Sequence, residues 1–122
     1  MRYDTMFIAI GLFCLLVGQI FGTWMGIGQN FTFAPAHAHL NLAGGVLLCL
    51  YGLLHRSYPA LKDAKLARPQ AVCAVIGGLA LPVGIVLAMT TENIVLGIIG
   101  AFGIMLGGVL FLIMFVGKAK TA

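Results

Sequence analysis

Charge is what this sequence has least of. Only 8% of its 122 residues are Asp, Glu, Lys or Arg, and only three of those are acidic. A soluble domain carries roughly 25% charged residues. A soluble fold of this size would leave about a third of its chain surface wet, and so few charges could not cover it. Carboxylates are too scarce for a paired acid–base site, and no nucleophile set stands beside them. Cysteine is sparse as well: Cys14, Cys49 and Cys73 all fall in apolar stretches. No CxxC or CxxCH occurs, which excludes a zinc knuckle and covalent c-type haem attachment. The three thiols read as small buried hydrophobes. No low-complexity tract, internal repeat or domain boundary interrupts the chain.

What is present is apolar length. Hydrophobic residues make up 61% of the chain, and mean hydropathy is +1.10. A spanning helix needs about 20 largely apolar residues. Four candidates follow, over about 6–27, 36–54, 70–89 and 94–116. The expected fold is therefore all-α, a single membrane domain of four helices over 1–122. The first apolar run is longer than the 7–15 residues of a signal peptide, and no A-x-A site follows it, so it reads as a helix.

The net charge of +4 does not point to nucleic acid, because of where the charges sit. Arg2 precedes the first span. Arg56, Lys62, Lys65 and Arg68 fall in the loop 55–69, and Lys118 and Lys120 follow the last span. The other two connections, 28–35 and 90–93, hold no Lys or Arg. This asymmetry places both termini in the cytoplasm. The expected location is a bacterial inner membrane, crossed several times, with the lipid bilayer as the first partner.

Local signals mark the ends. Pro35 and Pro69 sit where a helix start tolerates proline. Thr90, Thr91 and Asn93 offer caps. Pro82 lies inside the third span and predicts a kink or a freed carbonyl. Gly18, Gly22 and Gly26 form a four-spaced ladder, and Gly103 and Gly107 repeat it, with Gly97 and Gly100 nearby. Such ladders let helices approach closely, either within the chain or between copies.

The most informative segment is Phe33-Ala-Pro-Ala-His-Ala-His-Leu-Asn-Leu-Ala-Gly-Gly. It puts His37, His39 and Asn41 in the first turns of the second helix, at the outer boundary. At ~100° per residue, Asn41 lies one turn from His37 on one face, with Gly44 and Gly45 continuing it. His39 points about 200° away, above Ala43, Val46 and Leu50. The two histidines thus cannot both be axial ligands of one haem. The glycine pair offers a slot for a flat macrocycle. Met25 and Met89 end their spans at the same level and offer thioethers, and Gln19, Asn30 and Glu92 are further polar groups there. His55, beside Arg56, reads as an interfacial residue.

Ala36-His37-Ala38-His39-Leu40-Asn41, followed by the glycine pair, resembles the second helix of the catalytic subunit of haem–copper oxidases and nitric oxide reductases. It is also similar to short bacterial proteins labelled cytochrome oxidase subunit I-like. The resemblance implies an axial histidine for a low-spin haem b. The A-H-A pattern aligns that ligand with His37 and the H-x-N pattern aligns it with His39. The glycine-lined face favours His37, and Asn41 is expected to support the ligand. The large subunit has about twelve helices in three groups of four, so this chain resembles one third of it. The copper-binding histidines of that subunit have no counterpart here, and one chain has no complete oxidase active site. The resemblance implies a homo-oligomer, with a homotrimer rebuilding the ring, and a respiratory-chain partner. Three readings stay open: haem b for electron transfer or diatomic gas binding; copper or zinc on His37 and His39 with Met25 and Met89; and a cofactor-free assembly partner.

Overall fold

The computed structural model describes residues 2–119. Four helices are long and apolar enough to cross a membrane. They are α1 (Tyr3–Gly28), α2 (Ala34–Ser57), α3 (Ala67–Thr91) and α4 (Val95–Ala119). The expected spans are all present, each lengthened at one or both ends. Apolar side chains face outward on every helix: Phe13 and Phe102 are each 65% exposed and Leu112 is 64% exposed. Water would not tolerate such a surface, and hydrocarbon does.

The helix ends have local causes. Asn30 N–H reaches back to the Met25 carbonyl and Gln29 takes a left-handed conformation, closing α1. Asn30 Oδ1 then accepts from the backbone and hydroxyl of Thr32, holding the turn that follows. Glu92, also left-handed, closes α3. Asn93 Oδ1 accepts from Val95 N–H at the start of α4. Pro35 lies in the first turn of α2 as expected. In contrast, α3 begins at Ala67, two residues before Pro69.

The loop expected over 55–69 is shorter than that. His55 and Arg56 belong to α2, and Pro59–Asp63 forms a 3-10 turn. Leu61 on that turn is fully buried. It closes a core made of Phe7, Leu48, Tyr51, Phe111 and Met114, so the buried aromatic cluster lies toward the basic end of the bundle.

The glycine ladders are used inside the chain except at Gly26. On α3 and α4 the backbones nearly touch: a Cβ on Gly84 would strike the Gly97 backbone, and one on Gly107 would lie 3.1 Å from the Ala74 nitrogen. On α1, Gly11 lies against Cys49, Gly18 against Asn41 and Gly22 against His37, whereas Gly26 meets nothing. Gln70, fully buried, adds a polar tie between α3 and α4 by donating to the Gly107 carbonyl at 3.3 Å.

One irregularity positions the polar segment. The backbone of α2 widens into a π-helical stretch over Leu40–Val46. It faces the turn of α3 that precedes Pro82. Proline has no N–H to offer the carbonyl four residues back, and that Gly78 carbonyl is turned toward Gly44. Ala43 and Gly44 in turn lie against Gly78. A widened turn on one helix therefore meets a proline-interrupted turn on the other, with glycine on both sides.

Candidate functional site

At the end of the bundle away from the basic loop, His37 and Asn41 face α1 together, against Gly22 and Gly18. Asn41 Nδ2 lies 2.9 Å from the His37 carbonyl and 3.0 Å from His37 Nε2. A carbonyl can only accept, so this Asn41 atom is the amide nitrogen, and its second hydrogen is directed at the ring. Nε2 of His37 is then an acceptor already in use. The ring packs on Gly22 and meets Phe21 edge-on, with centroids 5.9 Å apart. Two small residues on α1 thus make room for two polar ones on α2.

His39 is in the opposite situation. It is exposed, and its Nδ1 donates to the Pro35 carbonyl one turn back, at 2.7 Å. This bond fixes both tautomer and ring direction. It leaves Nε2 without a hydrogen-bond partner among the described residues. A histidine that ligates metal through one nitrogen commonly donates the other N–H to such a carbonyl. Farther along α2, Leu42, Val46 and Leu50 are exposed apolar side chains at four-residue spacing. Ala43, expected on this face, is buried instead, because the π-helical stretch changes the angular step.

The slot expected beside Gly44 and Gly45 does not exist. Gly44 is covered by Cys14 and the Gly78 carbonyl, and Gly45 by Leu15. These glycines serve helix packing. Of the two thioethers, Met25 is buried and Met89 is exposed on α3. Neither takes part in the hydrogen bonds that orient the histidines. Among the described residues, no three His, Cys, Asp or Glu side chains converge as a metal site. Of the two histidines at this end, only His39 has a ring nitrogen outside the hydrogen bonds described above. Gln19 is exposed, Asn30 holds its loop and Glu92 ends a helix; none joins the histidines.

The third histidine, His55, lies where its sequence neighbours do not suggest. His55 was expected at a wet interface, yet it is 6% exposed. Tyr3 and Phe7 stack beside its ring at 5.3 and 5.8 Å, and Phe111 meets it edge-on at 5.8 Å. Its Nε2 is buried without a partner. Nearby, the Asp4 carboxylate pairs with Arg2 at 2.8 Å and with Arg56 at 3.7 Å. The available signal was spacing: Tyr3 and Phe7 are one turn apart on α1, and Tyr51 and His55 are one turn apart on α2. Both pairs point at one aromatic cluster. Comparison of the chain with protein-family models, with curated proteins and with solved structures finds no match.

Proposed function

We propose that this chain is a haem-b-binding protein of the membrane, in which His39 would hold the haem iron through Nε2 and a second chain would supply a further donor. The observation that carries the reading is the His39 Nδ1–Pro35 bond on an exposed ring, on a helix that also exposes Leu42, Val46 and Leu50. Bound haem would supply a one-electron couple or an iron for a diatomic gas. The chain's own contribution is orientation: Pro35 holds the donor ring, and Leu42, Val46 and Leu50 give a hydrocarbon-like wall. His37 has a different task. Through Asn41 it fastens α2 to the small-residue face of α1, which keeps the first turns of α2 in place.

In this reading the basic end faces the cytoplasm, and the histidines lie at the outer boundary. The assembly is made of copies of this chain meeting through their His39 faces, since every rung of the glycine ladders but Gly26 is covered within the chain. The test is purification in mild detergent after expression with ample haem. A Soret band, with haem confirmed by its pyridine complex, is expected. A colourless protein overturns the reading, and copper or zinc bound in its place would assign the site to that metal.

A further inference from the structure

We propose that the basic end of the bundle holds one anionic phospholipid, its phosphate in a charged cavity and an acyl chain in the groove between α1 and α3. The proposal rests on the membrane reading and is independent of haem. A cavity of about 730 Å³ opens at this end, lined by Arg2, Asp4, His55, Arg56, Lys62 and Asp63 among others. Asp4 is already neutralised by Arg2 and Arg56. Lys62 is exposed and makes no ion pair with any described residue. Its ammonium is therefore uncommitted, and Arg56 holds Asp4 only at 3.7 Å. The cations lining the cavity outnumber the carboxylates, which suits a phosphate diester.

Two further observations point to an occupant. His55 lines the same cavity, nine-tenths buried, with Nε2 unpaired. Buried polar atoms nearly always have a partner, and Nε2 sits just behind the cavity wall, where a small turn of the ring would bring it to a headgroup hydroxyl. A second cavity of about 500 Å³ shares Tyr3 with the first. It runs between α1 and α3 past Met6, Val72 and Ile76, with Arg68 also on its lining. Polar head space and apolar groove thus meet at one residue. A free phosphate ion would leave the groove unused; a phospholipid occupies both.

The experiment is native mass spectrometry of the full chain in mild detergent, supplied with phosphatidylglycerol or phosphatidylcholine. One phosphatidylglycerol per chain is expected, retained about fivefold better than phosphatidylcholine. Lys62→Gln should lower that retention about fivefold, whereas Lys65→Gln, an equal charge loss outside the cavity, should leave it unchanged. Val72→Trp, which fills the groove from an exposed position, should lower it as well. Equal retention of the two lipids overturns the proposal. So does an equal fall in the Lys62 and Lys65 variants, which would mean diffuse attraction to the surface. Displacement by inorganic phosphate at equal concentration overturns it in favour of a free anion.

Discussion

Gly77→Ala tests the packing that holds the bundle together. An added Cβ would lie 2.6 Å from Ile104 N, 2.8 Å from Gly103 C and 3.0 Å from Gly100 O. All three are backbone atoms of α4, so no side chain can rotate away. Carbon contacts are comfortable from about 3.5 Å, so α4 must recede by roughly 0.9 Å. Recession loosens the Gly84–Gly97 and Gly107–Ala74 contacts on the same seam. Overpacking of this kind costs about 1–3 kcal/mol, and a rigid backbone neighbour puts it at the upper end. Alanine returns about 1 kcal/mol through helix propensity, for a net loss of about 2 kcal/mol. Gly26→Ala is the internal control. Nothing lies within 4 Å of its Cβ, so only the propensity gain of up to about 1 kcal/mol remains. Titration with SDS from mild detergent, followed by far-ultraviolet circular dichroism, should move the two midpoints in opposite directions. If both variants gain stability alike, the seam is not as close as described and the packing argument fails.

Three other outcomes follow from the same contacts. Asn41→Ala leaves His37 Nε2 and the His37 carbonyl without their donor, and should cost about 1–3 kcal/mol in the same titration. His55→Phe keeps the ring among Tyr3, Phe7 and Phe111 and removes an orphaned nitrogen; in lipid-free detergent it should stabilise by about 1 kcal/mol, and a loss of that size would show that Nε2 has a partner. In a background with Cys14, Cys49 and Cys73 replaced by alanine, Glu92→Cys should react with a membrane-impermeant maleimide on intact cells. Lys65→Cys should react only after permeabilisation, and the reverse pattern would invert the orientation.

The parts of this fold legible in the sequence were those that depend on solvent and on helical spacing. Four apolar runs of sufficient length have one solution in lipid, and they appear as α1 to α4. Helical spacing paired His37 with Asn41, and their bond is present. What spacing could not supply was the partner across a seam. Gly44 and Gly45 resembled an open slot because their neighbours, Cys14, Leu15 and Gly78, come from other helices. The π-helical stretch over Leu40–Val46 had no signal of its own; it shows only against the freed Gly78 carbonyl created by Pro82. His55 was misplaced for a related reason. Beside Arg56 it looks interfacial, and only the approach of α1 and α4 encloses it in aromatic rings. The free Nε2 of His39 depended on a local bond, His39 to Pro35, which sequence spacing allowed but did not require.

The most direct test of the account compares three proteins in one spectrum. Membranes containing the native chain, His37→Ala or His39→Ala, each expressed to the same level with ample haem, are recorded as dithionite-reduced minus oxidised. The account expects the b-type α-band and Soret change in the native chain, their loss in His39→Ala, and their retention at reduced amplitude in His37→Ala, which loses only the tie to α1. Loss in His37→Ala with retention in His39→Ala would contradict the assignment of the free imidazole as the ligand. An unchanged spectrum in both, or none in the native chain, would contradict haem binding through this segment altogether.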